Sequence, residues 1–214
     1  MRKASVIWDM DGVIVNSEHF HFEAWKWLAE RRGQSITREK FLPTFGMTNP
    51  DAIIELFGEV KDVEAREMSL SKEAEFRRRL VGRVEALPGA AELVAALHVE
   101  GHLQAVASSA PMENIHVILD ELALRDCFQA LASGDEVSRG KPNPEIFVLA
   151  AKRLGARPID SIVLEDAVVG VRAGIRAGMK VYAVTTTRER DELDQADRVV
   201  DSLLELTPLD FLLG

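Results

Sequence analysis

The sequence has 214 residues, of which 47% are hydrophobic and 29% are charged, and its formal net charge is −9. This composition is typical of a soluble globular protein and argues against disorder, and the length allows one core plus a small accessory domain. The negative charge argues against a nucleic acid or an anionic membrane as the main partner, and the single cysteine, Cys127, argues against a disulfide framework.

The hydrophobic segments of the sequence are all short. The apolar run near the N-terminus is too short for a signal peptide, and no stretch approaches the length of a transmembrane helix. We therefore expect a cytoplasmic protein that does not act on a membrane.

The first predicted element is a short apolar run over residues 4–8, which ends at Asp9-Met10-Asp11-Gly12. The run predicts a buried strand that carries two carboxylates to its carboxyl edge. Because residues two apart on a strand point to the same side, Asp9 and Asp11 can converge on one ligand. Their like charges favour a divalent metal between them. Taken alone, the motif is more typical of an ordinary turn after a strand, so the assignment depends on the rest of the chain.

Residues 16–85 show no strand pattern. Helical patterns divide this segment over residues 18–32, 37–42, 50–57 and 63–81. A helical insert after the first strand and before the second predicts a cap that covers the edge of the sheet. The predicted domains are therefore a core of residues 1–15 and 86–214 and a helical cap of residues 16–85.

From Leu87 onward, strand and helix patterns alternate. Strands are predicted over residues 103–108, 129–133, 161–166, 180–185 and 198–201. Helices are predicted over residues 112–124, 144–154 and 168–177. Strands separated by helices imply right-handed crossovers and a parallel sheet, so the predicted fold class is α/β.

Polar motifs stand at the ends of several predicted strands and in one loop. In chain order they are Asp9-Met10-Asp11-Gly12-Val13-Ile14, Ser108, Lys141-Pro142-Asn143-Pro144 and Glu165-Asp166. With this order and the helical insert, the whole chain resembles the haloacid dehalogenase-like superfamily, in the branch of β-phosphoglucomutase and related sugar phosphatases. The resemblance implies a Rossmann-like core, an all-helical cap between the first two motifs, and magnesium-dependent phosphoryl transfer through an aspartyl phosphate.

The resemblance also implies a role for each motif of the core. Asp9 is the expected nucleophile, and Asp11 is the expected general acid and base. Ser108 is expected to hydrogen-bond a phosphoryl oxygen, with Ser109 next to it as the alternative. Lys141 is expected to balance the negative charge of the nucleophile and of the transferred group.

Mg²⁺ is the expected cofactor. Asp9, the backbone carbonyl of Asp11, and Asp166 would supply oxygen ligands. Adjacent strand residues point in opposite directions, so either Glu165 or Asp166 is expected to support the site from behind, and Asp166 is favoured as the direct ligand.

Three cap residues are expected to face the substrate because the resemblance places them there: His21, Thr48 and Lys72. Without the resemblance, His21 is more typical of a packed or surface histidine. Lys72 lies in a highly charged helical pattern, where a solvated lysine is the ordinary case.

Two departures from the mutase pattern favour hydrolysis. Asn49 stands where mutases of this branch have an arginine, and residues 110–112 (Ala-Pro-Met) stand where they have a serine-lysine-asparagine cluster. Without the guanidinium and the lysine, a second phosphate would be held poorly. We expect a phosphatase of a small phosphorylated metabolite, with a sugar phosphate as the first choice.

Three alternatives remain open at this point. They are a β-phosphoglucomutase-type hexose-phosphate mutase, an inorganic pyrophosphatase, and a non-catalytic binding module with the same fold. The protein is expected to be a monomer or a weak dimer, since no pattern in the sequence indicates a coiled coil.

Overall fold

A parallel sheet forms the centre of the fold. The computed structural model describes residues 2–213. The strands are β1 (Arg2–Lys3), β2 (Ser5–Trp8), β3 (Gln104–Ser108), β4 (Ala130–Ser133), β5 (Ser161–Glu165), β6 (Lys180–Val184), β7 (Arg198–Val200) and β8 (Leu212–Leu213). Strands β2–β7 form a six-stranded parallel sheet in the order β4-β3-β2-β5-β6-β7, and β1 and β8 form a separate antiparallel pair. Because β2 lies between β3 and β5, the motifs at the ends of these three strands are neighbours.

Helices cover both faces of the sheet. The helices are α1 (Glu18–Arg31), α2 (Arg38–Phe41), α3 (Asn49–Phe57), α4 (Asp62–Leu80), α5 (Ala90–Val99), α6 (Met112–Glu121), α7 (Glu145–Leu154) and α8 (Val168–Arg176), and α5–α8 are the ones that pack on the sheet. Val6 and Trp8 of β2 cluster with buried residues of α5 and α6, whereas Ile7 clusters with those of α7 and α8. This architecture confirms the predicted α/β class. None of these helices, within residues 2–213, is both long and apolar enough to cross a membrane.

Helices α1–α4 form the predicted helical insert. They share an apolar cluster of their own, which includes Trp25, Ile53 and Met68. The chain leaves the core and returns to it at neighbouring positions, because Val15 and Ala86 form an antiparallel bridge. This proximity supports the cap boundaries predicted at residues 16 and 85, which stay a prediction.

Two features of the fold have no clear signal in the sequence. Helix α5 carries apolar residues around most of its circumference, so its segment shows no distinct helical period. Strands β1 and β8 have two residues each and join the two ends of the chain, so no local pattern indicates them. The strands and helices that the sequence does predict differ from the observed ones only at their ends.

A buried glutamine connects strand β3 to its surroundings. Trp8 Nε1 donates a hydrogen bond to Gln104 Oε1 at 3.0 Å, and Gln104 Nε2 donates to the backbone carbonyls of Val94 at 3.0 Å and Cys127 at 3.3 Å. Gln104 is fully buried, so water has no access to replace these partners.

We expect Gln104→Leu to lower the free energy of unfolding by about 1–3 kcal/mol, because the Trp8 indole and two carbonyls would lose buried partners. Urea denaturation followed by circular dichroism measures this free energy. Gln34→Leu is the control, since Gln34 is exposed and the substitution should change little. A Gln104→Leu midpoint equal to that of the wild type would contradict the prediction.

Candidate active site

Three carboxylates meet at the carboxyl edge of the sheet. Asp9 directly follows β2, Glu165 ends the neighbouring strand β5, and Asp166 comes next in the chain. Each offers one carboxylate oxygen, and these oxygens lie within 4.8 Å of one another. All three side chains are buried. The parallel sheet thus brings the first and last predicted motifs together.

The loop lysine of the third motif reaches this cluster. Lys141 Nζ lies 2.8 Å from Asp9 Oδ1 and 2.5 Å from Glu165 Oε1, and its side chain is only 3% exposed. Burial alone would lower the pKa of Lys141, but Asp9 and Glu165 raise it well above its ordinary value. The ammonium therefore stays charged and partly neutralises the cluster.

Glu165 and Asp166 both belong to the cluster, although strand alternation predicts opposite directions for them. The reason is that β5 ends at Glu165 and the chain changes direction after it. Glu165 Oε2 accepts hydrogen bonds from the backbone N–H groups of Asp166 and Ala167 at 2.9 Å each, and a Cβ at Gly170 would overlap its carboxylate. Thr187 Oγ1 donates to Asp166 Oδ2. Both carboxylates are therefore held in fixed orientations.

The cluster has an excess of negative charge. Burial raises the pKa of Asp9 from 3.8 to about 7, against the opposing effect of Lys141 and with a further rise from Glu165. Burial, together with the charges of Glu165 and Asp9, also raises the pKa of Asp166 well above its ordinary value. Buried oxygen donors with uncompensated charge fit a hard divalent cation such as Mg²⁺.

Asp11 faces the cap rather than the carboxylate cluster. Ser17 Oγ donates a hydrogen bond to Asp11 Oδ1, and His21 Nε2 lies 3.4 Å from the same oxygen. Ser108 Oγ lies 3.5 Å from Asp11 Oδ2. Burial alone would raise the pKa of Asp11, but His21 and Ser17 outweigh it and hold the pKa below its ordinary value. In this arrangement Asp11 is a carboxylate.

The predicted cap lysine lies inside the protein rather than in solvent. Lys72 is 2% exposed, and its Nζ lies 2.7 Å from His21 Nδ1 and 2.7 Å from Glu73 Oε1. The aromatic rings of Trp25 and Phe76 lie 5.1 Å and 5.3 Å from the ammonium. The structure therefore brings Lys72 to His21 and His21 to Asp11, and a contact of either cap residue with substrate stays a prediction.

A small cavity separates the cap from the core. Asp11, His21, Lys72, Asn49 and Ser109 line it together with apolar side chains. Its volume of about 30 Å³ holds about two water molecules, so a ligand the size of a sugar phosphate does not fit into it.

Thr48 lies outside this lining. Its hydroxyl donates to Asp51 Oδ2 at 2.7 Å, and its methyl group faces Gly140, where an added Cβ would lie 2.7 Å from it. A substrate contact from Thr48 therefore has no support in this arrangement of the cap, and its role stays a prediction.

Sequence reasoning does not identify Ser17, Glu73, Asn114 or Thr187, which contact the predicted residues directly or through one neighbour. Ser17 begins the cap six positions after Asp11, and that proximity is the one signal that could have indicated it. Glu73 is next to the predicted Lys72 in the chain, whereas Asn114 and Thr187 are ordinary polar residues far along the chain from their partners.

Mg²⁺ should raise the melting temperature, more at about pH 8 than at about pH 5.5. Metal-free folded protein keeps the Asp9 proton up to about pH 7, whereas the unfolded chain loses it near 3.8, so this group makes stability fall as pH rises through that interval. A cation that binds the ionised carboxylates removes this loss, and at 100 times its Kd it adds about 2.7 kcal/mol.

Thermal unfolding with Mg²⁺ or with EDTA at both pH values measures this effect. Asp166→Asn should abolish most of the response, while Asp194→Asn on the exposed surface should leave it unchanged. An equal Mg²⁺ response in Asp166→Asn and wild type would show that the cation binds elsewhere.

Comparison with known proteins agrees with this geometry. Residues 4–178 match the family model of the haloacid dehalogenase-like hydrolases. The chain is 31% identical to hexitol phosphatase B of Escherichia coli, over 97% of this chain and 96% of that protein. It is 33% identical to β-phosphoglucomutase of Bacillus subtilis, over 95% and 91% of the two chains.

A plant protein and a solved structure extend the comparison. The chain is 32% identical to the bifunctional riboflavin kinase/FMN phosphatase of Arabidopsis thaliana over 94% of its own length, and it spans 54% of that longer protein. The crystal structure of β-phosphoglucomutase from Clostridium difficile superimposes with a TM-score of 0.87 at 25% identity, over 96% of this chain and 94% of that one. This chain therefore belongs to the haloacid dehalogenase-like hydrolase family, in the branch that contains β-phosphoglucomutase and sugar phosphatases.

Proposed function

We propose that the protein is a Mg²⁺-dependent phosphatase that hydrolyses a small phosphorylated metabolite, with sugar and hexitol phosphates as the first candidates. The observation that carries the proposal is the buried Asp9 carboxylate at the end of β2, with Lys141 at 2.8 Å and two further carboxylates beside it. The hexitol phosphatase named among the relatives supports this substrate class.

In the first step, a carboxylate oxygen of Asp9 forms a bond to phosphorus while the bond from phosphorus to the leaving oxygen breaks. Asp11 gives its proton to the leaving oxygen, and Lys141 balances the charge on Asp9 and on the phosphoryl group. In this proposal Ser108, at the end of β3, donates a hydrogen bond to a phosphoryl oxygen. When bound, Mg²⁺ supplies positive charge to the phosphoryl oxygens, and Asp9, Asp166 and the Asp11 carbonyl would hold it with support from Glu165.

In the second step, water attacks the phosphoaspartate and Asp11 accepts its proton, which restores the Asp9 carboxylate. The contacts of Asp11 with Ser17 and His21 favour the carboxylate that this step needs. For the first step Asp11 must carry a proton, so we expect substrate entry to loosen its contact with His21.

The polar groups of the cavity favour hydrolysis over mutase chemistry. Asn49 lines the cavity at the position where mutases have an arginine, and the one cation of the described lining, Lys72, is already paired with Glu73. A second phosphate would therefore find no free positive charge there. The similarity to a β-phosphoglucomutase keeps the mutase as the second candidate. The cytoplasmic location and the monomer or weak dimer stay predictions.

With Mg²⁺, the protein should release inorganic phosphate from at least one ester in a panel of hexitol phosphates, hexose phosphates, phosphoglycolate, nucleoside monophosphates and pyrophosphate. Asp9→Asn should lower kcat/KM by about 1000-fold or more, because it removes the nucleophile. Asp194→Asn is the matched control on the surface.

The outcomes separate the alternatives. Release from pyrophosphate alone would indicate a pyrophosphatase. Conversion of β-glucose 1-phosphate to glucose 6-phosphate, dependent on β-glucose 1,6-bisphosphate and without phosphate loss, would indicate a mutase. If the protein hydrolyses no ester of the panel, the proposal is wrong.

Asn49→Arg should lower the KM for a hexose bisphosphate about tenfold relative to the KM for the monophosphate. The reason is that a guanidinium can form two parallel hydrogen bonds to the distal phosphate. Steady-state kinetics with both esters measures the ratio. Asn49→Gln changes the length without adding charge and should leave the ratio near that of the wild type. An unchanged ratio in Asn49→Arg would mean that Asn49 does not face the distal end of the substrate.

A further inference from the structure

A chain of buried polar contacts runs from a core helix through the cap to Asp11. Glu73 of α4 is 4% exposed, and Asn114 of α6 is fully buried. Asn114 Nδ2 donates to Glu73 Oε2 at 2.6 Å, and Lys72 Nζ donates to Glu73 Oε1 at 2.7 Å. Each oxygen of Glu73 therefore has one partner, one from the core and one from the cap.

The orientation of the Asn114 amide follows from its other contact. Arg77 Nη1 donates to Asn114 Oδ1 at 2.9 Å. Since the guanidinium only donates, the amide oxygen must face Arg77 and the amide nitrogen must face Glu73. The contact between Asn114 and Glu73 is thus a hydrogen bond of defined direction to a charged acceptor.

The same reasoning determines the tautomer of His21. Lys72 offers three donors and no acceptor, so His21 Nδ1, at 2.7 Å, must accept a hydrogen bond and carry no proton. The proton of the neutral ring is then on Nε2, the atom that faces Asp11 Oδ1 at 3.4 Å. Phe76 stacks on the imidazole with 4.0 Å between ring centroids and fixes its plane.

We propose that Glu73 and Asn114 are positioning residues, which hold Lys72 against His21 and thereby keep the Nε2–H group of His21 directed at Asp11. Neither touches the reacting atoms, and both act through Lys72. The catalytic consequence rests on the proposed phosphatase function, whereas the effect on His21 does not.

The adjacent residue on α6 provides a matched control. Glu113 also joins α6 to the cap, because its Oε2 lies 2.9 Å from Arg77 Nη2, but it has no contact with Lys72 or Glu73. Glu113→Ala removes this ion pair but keeps Arg77, whose Nη1 can still donate to Asn114 Oδ1, so the contacts of Asn114, Glu73 and Lys72 with one another are expected to remain. A general loosening of the cap would appear in both variants, and loss of positioning only in Asn114→Ala.

The first test is ¹⁵N NMR of the imidazole rings, with the His21 signals assigned by their loss in His21→Gln. Wild type and Glu113→Ala should show the neutral Nε2–H tautomer of His21. Asn114→Ala should show a mixture of tautomers, and so should Glu73→Gln, in which one oxygen acceptor becomes a donor. Unchanged His21 shifts in both Asn114→Ala and Glu73→Gln would overturn the proposal.

The second test uses the best ester of the panel. Asn114→Ala should lower kcat about tenfold, with a smaller change in KM, whereas Glu113→Ala should match wild type. In a Lys72→Met, Glu73→Gln background, which replaces the ion pair by neutral groups of similar size, Asn114→Ala should have no further effect. A tenfold loss that persists in this background would show that Asn114 acts through fold stability. If wild type turns over no ester, the proposed function fails, and the NMR measurement still decides the positioning role.

Discussion

The site depends on the attraction between one buried ammonium and the carboxylates at the carboxyl edge of the sheet. The parallel order of the strands forces Asp9 and Glu165 together, where their like charges would repel in surroundings without water. Lys141 lies between the two carboxylates and offsets this repulsion. Backbone N–H groups at the start of α8 satisfy the other oxygen of Glu165. The loop before α7 is thus as necessary to the edge of the sheet as the strands themselves.

The cap meets the core through buried charges as well as through an apolar cluster, in which Ala24, Phe76 and Leu80 of the cap pack with core residues. Lys72 and Glu73 lose their hydration in this interface, and their mutual attraction and the contacts with His21 and Asn114 offset that cost. The polar part of this interface suits the proposed function, in which the cap would separate from the core to admit substrate. Water can hydrogen-bond the same groups when they are exposed, so opening costs less than the loss of these contacts suggests.

The part of the site that can be predicted from the sequence is the part that lies in short local motifs. Asp9 and Lys141 stand in short motifs, and the rule that parallel strands end at one edge of the sheet is enough to bring them together. The network around Glu73 follows no local pattern, since its core partner Asn114 is 41 positions away. Helix α4 is rich in charge and is therefore typical of a solvated surface, yet Lys72, Glu73 and Glu75 are buried in it. The sequence shows which residues carry charge, but burial depends on partners that only the tertiary structure provides.

The bridge between Val15 and Ala86 has a consequence for how the cap can travel. Two chain connections that lie side by side restrain the cap far more than a single tether would, and the Leu87 N–H group donates to the Ile14 carbonyl at 2.9 Å beside them. We therefore expect any displacement of the cap to be a rotation about an axis through this point. Cap residues near this axis, such as Ser17, would then stay close to their partners in the core. Cap residues far from the axis would move the furthest. A rotation of this kind would return the cap to the same position over the sheet each time it closes.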